Sequence, residues 1–192
     1  PNYSEFYEAR HFTPGNEKPE MAEFEGQQVP FGSKLLFNCQ EINGLTVGAE
    51  IFEDLWVPAP PSIGHALAGA TVIVNLSASD EVTGKDLYRR QLVSGHSARL
   101  VCGYIYADAG EGESSTDLVF GAHNIIAENG VILGETPRFD NQAVYSELDI
   151  RRLRGERRRM TTYSAPSDPD YQIVNFHLNP VTTKLTRTFD PA

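Results

Sequence analysis

An α/β fold is what this chain predicts, on three observations. Apolar, β-branched runs alternate with helix-patterned stretches as far as residue 107, the rhythm of parallel strands joined by crossover helices. From Leu118 onward the rhythm changes to short strands with close turns, which reads as an antiparallel meander. Hydrophobic content of 40% and charged content of 22% over 192 residues are those of one globular domain with a sizeable core.

The elements follow in order. Residues 1–15 carry Tyr3, Phe6, Tyr7 and Phe12 among charged residues and are expected to pack on the body of the domain rather than sit in solvent. Asn16–Gln28 is acidic and marked by Gly and Pro, and reads as a loop or short hairpin. Lys34–Phe37 and Leu45–Ile51 read as strands around the Asn43-Gly44 turn signal. The second of these stops abruptly at Glu50-Ile51-Phe52-Glu53-Asp54-Leu55-Trp56-Val57-Pro58, and sites in sheet-and-helix proteins favour such carboxyl strand ends.

After the rigid Pro58–Pro61 connection, Ile63–Ala70 is a short helix and Thr71–Leu76 a second apolar strand. Gly84–Val101 is a helix, with Leu87, Leu92, Val93 and Leu100 interleaved with the polar set Lys85, Arg89, Arg90 and Arg99. Gly95 within it costs about 1 kcal/mol against Ala, which suggests close packing on a neighbour. Cys102–Ala107 is a third strand. Leu118–Gly121, Asn124–Glu128, Val131–Glu135 and Val144–Asp149 are the meander, with Asn129-Gly130 as a hairpin turn. Ile150–Met160 is a basic helix and Tyr171–Leu178 a last strand in an extended tail.

Charge and cysteine usage narrow the classes. A formal charge of −10 argues against general nucleic-acid or anionic-membrane binding, both of which want a positive surface. No apolar run approaches the roughly 18 residues of a membrane span, and the first residues are unlike a signal peptide. Cys39 and Cys102 are too few and too far apart for a disulfide scaffold or a zinc site, which suits a cytoplasmic setting. The five histidines are scattered without ligand spacing and are expected to be structural. Arg151–Arg159 is the sharpest local charge anomaly. It reads either as a contact for an anion or nucleotide phosphate, or as a solvated face, or as a neutralising surface in an oligomer.

A series of motifs then resembles a known family, the nitrilase-type (carbon-nitrogen hydrolase) amidase domain of glutamine-hydrolysing NAD synthetases. It runs from Pro1-Asn2-Tyr3-Ser4-Glu5-Phe6-Tyr7-Glu8 through Val29-Pro30-Phe31-Gly32, Glu50–Pro58 and Ala66-Leu67-Ala68-Gly69-Ala70-Thr71. It continues in Asn75-Leu76-Ser77-Ala78-Ser79, Gly110–Leu118 and Ala127-Glu128-Asn129-Gly130. The resemblance covers roughly residues 1–160 and implies a four-layer α-β-β-α sandwich, here missing its amino-terminal part. Residues 161–192 would then be an extended tail leading toward a synthetase domain absent from the chain.

The family's chemistry is a Glu-Lys-Cys triad. A thiolate attacks the glutamine amide, a lysine holds the oxyanion, a glutamate shuttles the proton, and ammonia passes to the synthetase domain. By position the nucleophile belongs between Ile51 and Glu53, where this sequence has Phe52. A phenyl ring has neither a lone pair for attack nor an exchangeable proton. The lysine and glutamate would precede Pro1, and the ATP and magnesium site would belong to the synthetase domain, so no cofactor is expected in this chain.

What the resemblance leaves is the lining of a glutamine pocket: Tyr3, Glu53, Trp56, Ser79 and Lys85. Each has a plainer reading, with Glu53 pairing a local cation, Trp56 in the core and Lys85 opening a solvated helix face. Gly110–Thr116 lacks a P-loop lysine and carries two glutamates that would repel phosphate, so it reads as a loop near the site or a subunit contact. Two functions remain open: an incomplete part of a glutamine-dependent NAD synthetase that is inactive as it stands, or a stand-alone non-catalytic nitrilase-like binding or scaffolding protein. Missing amino-terminal strands would leave an apolar sheet face and an edge to be covered by a homo-oligomer or further segments.

Overall fold

The computed structural model describes residues 11–13, 15–16, 18–113, 118–163, 168–179 and 184–187. Its first element is a hairpin of β1 (Glu20–Phe24) and β2 (Gln27–Phe31), turned at Glu25-Gly26, both with positive φ. The expected loop or hairpin is thus a hairpin that runs on to Phe31. Seven further strands form one mixed sheet. Its order is β8 (Val131–Glu135), β7 (Ile125–Glu128), β6 (Gly103–Asp108), β5 (Val72–Ser77), β4 (Thr46–Ile51), β3 (Leu35–Cys39) and β9 (Gln172–Phe176).

The centre of this sheet is the predicted alternation. Strands β4, β5 and β6 are parallel neighbours, joined through α1 (Pro61–Leu67) and α2 (Lys85–Leu100). Both helices lie on one face, where Ala66, Val93 and Leu100 pack with Leu36, Ile73, Tyr104, Tyr106 and Ile125. Flanking strands close the pattern: β7 and β8 add antiparallel on one side, β3 adds antiparallel to β4, and β9 adds parallel to β3.

Four expectations need correction. Leu118–Gly121 is no strand: Phe120 forms an isolated bridge to Asp80, and the Val119 and Gly121 carbonyls accept single bonds from the Glu81 and Phe139 N–H groups rather than from a ladder. Val144–Asp149 is no strand either. It lies over the sheet face opposite the helices, Val144 against Gly134 and Leu148 against Gly103, where only glycines leave room. The Asp149 N–H donates to the Glu128 carboxylate, and the Asp149 side chain then caps α3 (Ile150–Arg159) through the Arg152 N–H at 2.8 Å. Gly95 packs on nothing, since a Cβ there would meet open space. Arg89, grouped with the polar face of α2, is fully buried.

The sheet face opposite α1 and α2 is apolar and exposed at the carboxyl ends of β4 and β5. Ile51 and Leu76 are register partners there, and they are 51% and 61% exposed. The amino-terminal aromatics fall outside the described residues except Phe12, which is exposed.

Candidate functional site

At the carboxyl end of β4 the backbone makes a sharp elbow. Phe52 has φ +40°, a left-handed value that costs a bulky residue of order 1–3 kcal/mol and persists only where the surroundings over-determine it. A single 3₁₀ turn, Phe52–Leu55, follows immediately. The Ile51 N–H donates to Asp54 Oδ2 at 2.8 Å and the Trp56 N–H to the Glu53 carbonyl at 2.9 Å. The Glu-Asp pair that ends the apolar run is therefore the turn that ends the strand.

One side chain from the next strand pins the elbow. Asn75 Oδ1 accepts the Phe52 N–H at 2.9 Å, and Asn75 Nδ2 reaches back to the Phe52 carbonyl at 3.4 Å. Both strain and pinning converge on residue 52. Asn75 is fully buried, and its Nδ2 also donates to the Tyr104 hydroxyl at 3.1 Å. Tyr104 donates in turn to the Glu50 carboxylate, whose other oxygen accepts the Ser62 N–H at 3.0 Å.

This buried chain ends on a histidine. The Ser62 hydroxyl meets His96 Nε2 at 2.7 Å. Burial pushes the Glu50 carboxyl above the usual range against the hydrogen bonds from Tyr104 and Ser62, and pulls His96 down to about 4, so the imidazole is neutral at pH 7.

The Phe52 side chain is 4% exposed and has company on its outer side. Lys85 Nζ stands 5.7 Å from the Phe52 ring centroid and 5.3 Å from that of Trp56, while paired with Asp80. Trp56 meets Tyr88 edge-on at 5.2 Å. The indole Nε1 of Trp56 is buried without a hydrogen-bond partner among the described residues. Of the sequence-predicted residues, then, Phe52, Trp56 and Lys85 form one cluster and Glu53 lies in the same turn.

Ser79 is fully buried one step behind that cluster. Its hydroxyl accepts from Arg89 Nη2 at 3.2 Å and its N–H donates to Asp108 Oδ1 at 2.9 Å. Arg89 sits in a buried charge cluster with Glu81, Asp108 and His123. Burial pushes the Asp108 carboxyl up to about 6. Tyr3 lies outside the described residues.

Sequence reasoning missed Glu50, Asn75, Tyr104 and Arg89 as parts of the site. The available signal was polarity out of place: Asn75 interrupts an apolar strand, and a polar group buried there needs partners. The chain's two cysteines lie at the other end of the sheet from the elbow. Cys39 and Cys102 are both buried and free, and burial pushes the Cys102 thiol up to about 12, far from a thiolate at pH 7. His65 is held by Tyr171 and the Ala49 carbonyl, and His177 by Glu41. No cluster of three or more acidic, His or Cys side chains among the described residues could hold a metal ion.

The sheet, with its parallel β4-β5-β6 core and helices on one face, has a partial nitrilase-like fold. The solved carbon-nitrogen hydrolase from Helicobacter pylori superposes on 82% of the chain with a TM-score of 0.58 at 17% identity, which carries the fold alone. In sequence the chain is similar, over most of its length, to relatives named glutamine-dependent NAD(+) synthetase. It is 44% identical over 165 residues to the enzyme of that name from Mycobacterium tuberculosis, covering 85% of this chain and 24% of the relative. The crystal structure of the Cytophaga hutchinsonii glutamine-dependent NAD(+) synthetase matches 74% of this chain and 22% of its own length, with a TM-score of 0.61 and 29% identity. No family model matches the chain. The chain thus spans about a quarter of the length of the curated relatives it matches.

Proposed function

We propose that this chain is part of the ammonia-supplying, glutamine-hydrolysing portion of a glutamine-dependent NAD synthetase and is catalytically silent as it stands. The observation that carries the reading is Phe52: a bulky apolar residue held at φ +40° at a strand-end elbow that Asn75 clamps from both sides. An elbow of this kind lifts one side chain out of the strand toward a site, which suits a nucleophile and is strained for a phenylalanine. Glutamine hydrolysis needs a thiolate that bonds to the amide carbon, expels ammonia once the nitrogen is protonated, and then yields the thioester to water. A phenyl ring supplies none of these steps.

On this reading residues 1–160 are the partial amidase domain, and 161–192 lead toward a synthetase domain that holds ATP and magnesium. Glu53, Trp56, Ser79, Tyr3 and Lys85 line the glutamine pocket, with Trp56 as its apolar wall and Lys85 stacked across Trp56 and Phe52. The open apolar face around Ile51 and Leu76 is covered by another segment of the longer protein or by a second copy. A reducing cytoplasm suits the two free cysteines.

A second reading keeps the fold and drops the reaction: a stand-alone nitrilase-like protein that binds a small amide or steadies a partner. The Phe52 ring, buried where a reactive group would have to be reached, favours it. Calorimetry with glutamine and an ammonia-release assay separate the two from an active amidase. Ammonia at background fits both. Sustained release, with Cys39→Ala and Cys102→Ala leaving it intact, would overturn both. The complete reading frame then distinguishes them, since the first requires a downstream synthetase domain.

A further inference from the structure

At the opposite end of the sheet from Phe52 lies a cavity of about 320 Å³ lined by Gly44, Thr46, Gly69, Thr71, Arg154, Arg157 and Arg158. Its floor is the start of β4 and β5, and its wall is α3. Six of the sixteen Lys and Arg residues of an otherwise acidic chain fall within 151–159, and three of them line this one space. Among the described residues no carboxylate lines it, and none is within ion-pair distance of Arg154, Arg157 or Arg158.

Two of the guanidinium groups are fixed in place without being neutralised. Arg154 Nη1 donates to the Asn43 side-chain oxygen at 2.9 Å and to its carbonyl at 3.3 Å. Arg157 donates from Nε to the Val101 carbonyl and from Nη2 to the Leu100 carbonyl, both at 3.0 Å, while its guanidinium stacks on Tyr163 at 5.0 Å. Neutral carbonyls orient a cation but do not compensate its charge, and burial already pulls the Arg157 guanidinium below its ordinary value. Each arginine presents five N–H donors in a fork, so donors remain on both groups beyond those the carbonyls use. Arg158, at the rim, is exposed.

We propose that this cavity is an anion site for a phosphate-bearing small molecule, of the di- or triphosphate class, separate from the strand-end site. Three arginines with no carboxylate match a multiply charged phosphate better than a single carboxylate, and guanidinium forks bind phosphate oxygens in pairs. The volume lies at the lower end of the roughly 300–1,000 Å³ found for small-molecule sites. Prior fixing of Arg154 and Arg157 lowers the ordering cost of capture. The proposal does not depend on what residue 52 does.

Calorimetry with inorganic pyrophosphate on the chain tests it, at two salt concentrations. The expected result is saturable one-site binding that weakens with salt. Arg158→Ala should then weaken binding roughly tenfold or more, as the loss of a charge-assisted contact implies. Arg90→Ala, which removes the same charge from a surface pair with Glu135, should leave binding unchanged. Arg158 is exposed, so circular dichroism should report both variants folded. Absence of saturable binding to millimolar pyrophosphate would overturn the proposal. So would equal weakening by Arg90→Ala, or binding of an oligoglutamate peptide without binding of pyrophosphate.

Discussion

If the elbow at residue 52 is strained as the structure indicates, two truncations of the same side chain should rank in the unusual order. Phe52→Ala and Phe52→Gly both empty the space of a ring that is 4% exposed, a loss of about 3–5 kcal/mol for a buried phenylalanine. In an ordinary extended strand Gly would be the worse of the two by about 0.5–1 kcal/mol, from backbone entropy. At φ +40° the steric cost of a Cβ, about 1–2 kcal/mol, falls on Ala and not on Gly. Phe52→Gly should therefore be the more stable variant by about 1 kcal/mol. Urea denaturation gives the comparison directly, and the same difference is about 2–4 °C in Tm for a chain of this size. Phe52→Ala equal to or more stable than Phe52→Gly would refute the elbow, whatever the absolute losses.

Two further outcomes follow from the network behind the elbow. Asn75→Ala strips the acceptor from the Phe52 N–H and removes the bond that the Tyr104 hydroxyl accepts, so it should cost about 2–4 kcal/mol by the same denaturation assay. A loss under about 0.5 kcal/mol would mean that Asn75 clamps nothing. Asp108 supplies a pH signature, since its carboxyl rises from 3.8 to about 6 in the folded state, worth ~3 kcal/mol. A raised pKa means that folding favours the protonated form: this contribution is fully present below about pH 4 and is lost as pH rises through about 6. Asp108→Asn should flatten the stability profile across that window by up to ~3 kcal/mol, and an unchanged slope would count against the assignment.

How far the sequence carried the fold depended on how local each signal was. The strands β4, β5 and β6 were legible because apolar β-branched runs ended sharply in polar residues, and α2 because its apolar positions recur at helical spacing. Val144–Asp149 has the alternation of a strand, but its pattern is used against Gly134 and Gly103 on the sheet face, partners far away in sequence. Gly95 suggested a close contact that a helix exposed at that position does not need.

The same divide runs through the site. Trp56 and Lys85 were legible beside Phe52 through the strand-end motif. The clamp was not, because Asn75 reaches residue 52 across 23 positions and Tyr104 reaches Glu50 across 54. Nor was the left-handed backbone of Phe52 visible, since no glycine or asparagine announces it.

The most direct test of the account is ammonia release from glutamine by the protein encoded in the full reading frame, measured with Phe52 and with Phe52→Cys. The account predicts background release with Phe52 and glutamine-dependent release that appears with Phe52→Cys, provided that the reading frame supplies the family's lysine and glutamate. Release by the Phe52 protein itself, or background release from a folded Phe52→Cys protein that carries both partners, would contradict it.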